Sequence, residues 1–139
     1  MPVTGYDKLI NEVNAMLQTD RIMIAAMNSV LVKQKERIFQ DGRAADGSNI
    51  GTYKTNGSRK STRSRIGQKV VLRESNQMMM DLTTHVLGNN EYGIGFNNSF
   101  NKDKAVWNED RFGKDIFSSS DEEDELVLRV IDFELKKID

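Results

Sequence analysis

The order of hydrophobic patterns along the chain predicts an α+β fold: N-terminal helices, a long basic loop, a small antiparallel β-sheet formed by a hairpin, and a C-terminal amphipathic helix packed with it. Three observations carry this expectation. Apolar residues recur at helical spacing from Thr4 to about Phe39 and again from Leu126 to Ile138. Two short runs, Thr83 to Leu87 and Tyr92 to Phe96, flank a Gly88-Asn89-Asn90-Glu91 turn. Residues 41–65 hold Gly42, Gly47, Gly51 and Gly57 among many Ser, Thr and Asn and very few large apolar side chains.

In the first region Leu9, Ile10, Val13, Met16 and Leu17 form one stripe and Ile24, Met27, Val30, Leu31 and Ile38 a second. Between them Thr19 or Asp20 is able to accept hydrogen bonds from the amides that open a new helix, which predicts a short helix followed by a longer one ending near Gln40. Lys33, Lys35 and Arg37 match the negative end of that helix, and Asp41-Gly42 supplies its stop. The Gly-rich stretch after it reads as a long flexible loop, of a length usually found where a loop is functional or disordered. Lys69 to Leu82 reads as an extended piece and about two helical turns around Met78, Met79 and Met80.

The hairpin follows from the Gly-Asn-Asn turn, with Val86, Ile94 and Phe96 placed to face the core. Gly93 and Gly95, alternating with large residues, permit close packing on their face or a bulge. Lys102 to Asp110 reads as a short helix, and Arg111 to Phe117 as an extended link. Ser119 or Ser120, three residues before Glu122 or Glu123, makes a capping box for the last helix. Acids crowd its first turn, Lys136 and Lys137 occupy its last, and Leu126, Val127, Val130, Ile131, Phe133, Leu135 and Ile138 make its apolar face.

With 139 residues the chain is expected to form a single structural domain over 1–139, with its flexible loop at about 41–65. Hydrophobic residues make up 37% and aromatic residues 7%, below the nearly one half apolar that is usual for a soluble domain. A core this thin is completed by long surface loops, by burial against neighbouring subunits, or by both. The 20 basic and 21 acidic residues leave a net charge of −1, so the whole-molecule field offers no general attraction to nucleic acid or acidic membranes. The absence of cysteine excludes disulfides, thiolate metal sites and a cysteine nucleophile, and fits a reducing cytoplasm. Neither a secretion signal nor a membrane span is expected from the start at Met1 or from the apolar runs.

Few residues offer chemistry. His85, the single histidine, lacks a carboxylate neighbour in sequence and reads as a surface or half-buried strand residue. Gly42 to Gly47 follows a helix and does not lead into Gly-Lys-Ser/Thr, so it reads as a turn instead of a phosphate loop. No metal-ligand spacing and no nucleophile elbow is present. Catalytic, cofactor-binding and metal residues are therefore expected to be absent, as is any cofactor. The carboxylates of Asp121, Glu122, Glu123, Asp124 and Glu125 read first as a solvated turn matched to the helix dipole.

The most unusual feature is the run from Lys54 to Arg73, which carries Lys54, Arg59, Lys60, Arg63, Arg65, Lys69 and Arg73 and no acid until Glu74. Three readings stay open: a solvated flexible loop, a salt-sensitive contact with phosphates, and docking on an acidic surface of a neighbouring subunit. The last has a complement in the same chain, since Glu109, Asp110 and the acids from Asp115 to Glu125, with Asp121 to Glu125 at their centre, make an acidic end. A molecule with one basic and one acidic surface is able to associate head to tail into a ring.

Four local patterns are similar to one family. After the N-terminal helices come Ile38-Phe39-Gln40-Asp41-Gly42 and Asp46-Gly47; then Leu72-Arg73-Glu74-Ser75-Asn76-Gln77-Met78; then Tyr92-Gly93-Ile94-Gly95-Phe96; and finally Ala105-Val106-Trp107, Arg111-Phe112-Gly113 and Ile116-Phe117, before Ser119 leads into an acidic helix. In this order they resemble the virion-morphogenesis or tail-completion proteins of Mu-like tailed phages and related neck families. Asn76 stands where the family prefers Gly, and the aromatic-Pro segment usual in its loop is missing, Tyr53 being the nearest aromatic. The resemblance implies a non-catalytic structural subunit of the neck or tail, located in the virion after assembly in the host cytoplasm. It implies partners in copies of itself in a ring and in connector, tail-terminator or tail-tube proteins, with DNA in the lumen as an additional contact and no membrane. The alternative from another class is a small nucleic-acid-binding accessory protein using the basic stretch 54–73.

Overall fold

The computed structural model describes residues 5–53, 67–72, 76–88 and 91–137. A single helix, α1 (Gly5–Lys35), runs through the whole first region. The first apolar stripe and the second as far as Leu31 lie on it, and the break expected at Thr19 and Asp20 is absent. Thr19 does not cap a second helix; its Oγ1 donates to the Ala15 carbonyl one turn back at 3.0 Å, a bond open to threonine inside a helix. At about 1.5 Å per residue the helix is about 46 Å long.

The chain leaves α1 through a π-helical turn (Glu36–Gln40), closed by the Asp41 amide donating to the Glu36 carbonyl at 2.9 Å. This wider turn carries three consecutive side chains inward, Arg37, Ile38 and Phe39, all buried. Gly42 follows with φ +63°, and a Cβ there would stand 2.2 Å from the Val70 carbonyl oxygen. Two physical requirements therefore make this position glycine, the left-handed backbone and the contact.

Residues 41–53 have no regular element, yet they are anchored. Ala44 and Ile50 are buried in the core, Arg43 bridges Asn49, and Thr52 bridges Lys69. The Ile50 amide donates to the Gly42 carbonyl at 2.9 Å and Val70 to Gly51 at 2.9 Å. Two apolar side chains in a polar stretch thus anchor 41–53, the first part of the expected loop; residues 54–66 lie outside the described residues.

A short helix, α2 (Gln77–Asp81), starts after Asn76 and leads into the expected hairpin of β1 (Leu82–Gly88) and β2 (Glu91–Phe96). The strands pair antiparallel with Leu82 opposite Phe96, Thr84 opposite Ile94 and Val86 opposite Tyr92, and the register then shifts so that Gly88 faces Glu91. The bare face of the glycines is used for close packing. Leu87, the extra residue at the shift, places its Cδ1 3.1 Å from where a Gly93 Cβ would be, and the His85 ring covers Gly95. Ile94 and Phe96 pack on the core as expected. Val86 is 62% exposed, a correction to its expected place, because it pairs with Tyr92 at the turn end of the hairpin, away from the core that Ile94 and Phe96 reach.

The next helix, α3 (Ser99–Phe112), is longer than its apolar residues indicate, since Asn98 caps it by accepting from the Phe100 amide at 2.9 Å and Gly113, at φ +62°, ends it. The last helix, α4 (Asp121–Lys136), opens on the expected capping box, with Ser120 and Glu123 as its two members. It lies antiparallel along α1, where Lys33 reaches Glu122 near one end and Arg21 reaches Glu134 near the other, both at 3.6 Å. The hairpin occupies another side of α1, with Thr84 donating to Asn28 and Tyr92 to Asp20. The core fills the end where all elements meet, with Ile38, Phe39, Ile50, Val70, Leu82 and Ile116 inside, and Phe117 edge-on to Phe96 at 5.5 Å between ring centres.

Candidate functional site

Charged residues converge at the junction of the π-helical turn, the 41–50 segment and the start of α4. At its base Arg37 is almost fully enclosed, and all its donor atoms have acceptors. Nε donates to Glu123 Oε2 at 2.6 Å, Nη2 to Glu123 Oε1 at 3.3 Å and to the Ser118 carbonyl at 2.9 Å, and Nη1 to the Arg43 and Ile116 carbonyls at 3.0 Å each. Glu123 is fully buried and accepts in addition from Ser120 Oγ at 2.7 Å and the Ser120 amide at 3.4 Å. A buried charge pair is tolerable when its remaining hydrogen-bonding positions are filled this way. One side chain thereby ties the exit of α1, the 41–50 segment, the link before α4 and α4 itself.

Neighbouring groups extend the network. Gln34 Nε2 donates to the Phe117 carbonyl at 2.8 Å, and Glu109 Oε2 accepts from the Ile116 and Phe117 amides at 2.9 and 3.3 Å. These bonds fix the path of the chain between α3 and α4.

Above it opens a cleft of about 640 Å³ whose walls include Lys33, Arg43 and Lys69 among cations and Glu36, Asp41, Asp46, Asp121 and Glu122 among anions. Hydrogen bonds from the side chain and backbone of Ser48 hold the Asp46 carboxyl below its ordinary value of 3.8. Mixed charge of this kind suits a salt-bridged protein contact better than a site for a uniformly charged ligand.

The acidic set foreseen from sequence is divided by the fold. Asp121, Glu122, Asp124 and Glu125 are exposed, whereas Glu123 is removed from any partner surface because it neutralises Arg37. Glu109 is likewise partly buried and committed to two backbone amides. Of the basic set only Lys69 belongs to the described residues; Lys54, Arg59, Lys60, Arg63, Arg65 and Arg73 lie outside them. Lys69 lines the same cleft as Asp121 and Glu122, so one member of the basic set and two exposed members of the acidic set share a surface within one molecule.

Arg37 was read from sequence only as a helix-end charge. A stronger signal was present, because Ile22, Ala26 and Val30 define a buried line along α1 that Gln34 and Arg37 continue. A charged residue on such a line requires a buried partner. His85 is half-buried with Nε2 3.3 Å from the Gly95 carbonyl. Among the described residues no three His, Cys, Asp or Glu are grouped to hold a metal ion, and no helix is long and apolar enough to cross a membrane. No family model, no curated protein and no solved structure matches the chain.

Proposed function

We propose that the chain is a structural subunit of the neck or tail of a tailed phage, completing or joining head and tail through contacts with copies of itself and with connector, tail-terminator or tail-tube neighbours. The observation that carries this reading is where the family-like residues fall in the fold. Ile38 and Phe39 are fully buried at the exit of α1, Gly42 makes the left-handed turn after it, and Ile116 and Phe117 close the core beside Phe96. Of the other residues that carry the likeness, Ala105 is buried, whereas Val106 and Trp107 are at least half exposed and so open to a partner. Asn76, which replaces the family's glycine, has φ +59°. Asparagine is among the side-chain-bearing residues most tolerant of that backbone, so the departure preserves the path of the chain.

The nucleic-acid alternative has less support. Lys69, the one residue of the basic run among the described residues, shares its cleft with Lys33 and Arg43 but also with the carboxylates of Glu36, Asp41, Asp46, Asp121 and Glu122, which would repel a phosphate backbone. A protein-contact role also accounts for the thin core and for side chains such as Met80, Trp107 and Leu128, each at least 60% exposed.

The test is made in a phage that encodes the chain. Deleting the coding sequence is expected to leave filled heads and finished tails unjoined, with joining restored when the protein is supplied in trans and the polypeptide present in intact particles by mass spectrometry. Normal infectious particles that lack the polypeptide would overturn the proposal. Salt-sensitive DNA binding by a monomer, with no place in the particle, would support the alternative.

A further inference from the structure

The first half of α1 is a projecting arm. Arg21 pairs with Glu134 close to the end of α4, and Asp20 with Tyr92 close to the hairpin turn, so residues 5–18 extend past both, a reach of about 20 Å. From Lys8 to Arg21 every residue is exposed. The arm nevertheless carries Tyr6, Leu9, Ile10, Val13, Met16 and Leu17, which are 45% to 80% exposed. A helix packed on neither face gains little beyond its intrinsic propensity, and these six side chains together present on the order of 700 Å² of surface, above the ~300–600 Å² of the largest apolar patch on a typical monomer.

We infer that this arm is the pairing surface for a second copy of the chain, joined to it in an antiparallel two-helix contact. Three observations select this occupant. The exposed area is close to the ~800 Å² per partner that a stable interface buries. The spacing is self-complementary: Tyr6, Ile10, Val13 and Leu17 follow one another by four, three and four residues, the alternation of a two-helix seam. Reversing one copy then sets Ile10 against Val13 and Tyr6 against Leu17 in both directions, as a two-fold axis requires. Leu9 and Met16 flank the seam. The third observation is charge. Residues 5–18 carry one cation, Lys8, and two anions, Asp7 and Glu12; this set lacks the Lys/Arg-rich polar face of a helix that lies on a membrane.

The inference goes beyond the virion reading and stands without it, since it concerns the isolated protein. It also differs from the head-to-tail charge contact, because an apolar seam survives high salt and an exposed charge contact does not.

Sedimentation of the full-length protein across a concentration series in 0.1 M and 1 M salt tests it. The wild type is expected to be a dimer in both, and the double variant Ile10→Lys, Leu17→Lys to dissociate about a hundredfold or more easily, since each change enters a symmetric contact twice. Its circular dichroism melting, read on the monomer, stays that of the wild type because neither residue touches the core. The orientation is read by cross-linking, for which the cysteine-free chain is suited. Tyr6→Cys mixed with Leu17→Cys forms the mixed disulfide, whereas Tyr6→Cys alone does not link to itself. A monomer at every concentration, an oligomer indifferent to the two lysines, self-linking of Tyr6→Cys, or binding of the wild type to anionic vesicles through the arm would each overturn the proposal.

Discussion

Ile10 and Ile22 lie on the same helix and meet opposite surroundings, 56% exposed on the arm and 5% exposed against the body. Both belong to apolar helical patterns, and in sequence both predict a buried face. The difference teaches that such periodicity marks a surface to be covered without saying what covers it. Along the second half of α1 the cover is the rest of the chain, with α4 on one side and the hairpin on another. Along the first half no described residue supplies it; the covered half begins at the Arg21–Glu134 and Asp20–Tyr92 contacts and ends at the buried charged network of Arg37 and Glu123 below α1.

The largest effect that sharpens this contrast lies in that network. Arg37→Ala or Glu123→Ala leaves a buried charge without its partner and is expected to lower stability by about 3–5 kcal/mol. Replacing both by apolar residues of similar size recovers most of the loss, because neither charge is then stranded. Urea denaturation of the two single variants and the double variant measures the difference; equal losses in all three would show that packing, and not the charge pair, sets the cost.

Next in size is the direct comparison of the two isoleucines. Ile22→Ala is expected to cost about 2–4 kcal/mol, as buried aliphatic truncations do. Ile10→Ala should change the stability of the monomer by less than ~0.5 kcal/mol while weakening self-association. Equal effects on monomer unfolding would dissolve the distinction between arm and body.

The parts of the fold legible in sequence are those decided locally. The capping box of Ser120 and Glu123 and the paired strands of the hairpin are written in adjacent residues and appear as expected. The continuity of α1 was hidden because Thr19 is as able to bond back to Ala15 as to open a helix. The anchoring of 41–53 was hidden because Ala44 and Ile50 stand alone among polar neighbours, too few to make a pattern. The charge network was hidden for a different reason, since Arg37 and Glu123 are 86 residues apart and only the folded chain brings them together. Glu123 illustrates the limit well, because its capping role was legible, its charge was placed on the surface, and its burial follows from a partner that no local rule names.

A smaller effect is expected at the cap itself. Ser120 Oγ accepts from the Glu123 amide at 3.2 Å and donates to its carboxylate at 2.7 Å. Ser120→Ala removes both bonds and should cost about 1–2 kcal/mol. Thermal melting reads this loss, and dimerisation through the arm should be unchanged, which separates body from arm once more.

The smallest effect depends on pH. Asp81 Oδ2 accepts from the Asn98 amide at 2.9 Å and from Asn101 Nδ2 at 3.1 Å, joining the end of α2 to the start of α3. These bonds, the Asn98 one first, hold its carboxyl below the ordinary 3.8. A carboxyl whose pKa falls on folding stabilises the fold wherever it is ionised in the unfolded chain as well, and this contribution fades as the pH drops from 3.8 through the lower folded value. Asp81→Asn should therefore melt at a lower temperature than the wild type at pH 7, and the gap should narrow steadily as the pH is taken below 3.8. A gap that stays constant with pH would show that the oxygen geometry at Asp81, and not its charge, joins the two helices. Either outcome leaves the arm unaffected, because no part of it touches Asp81 or its partners.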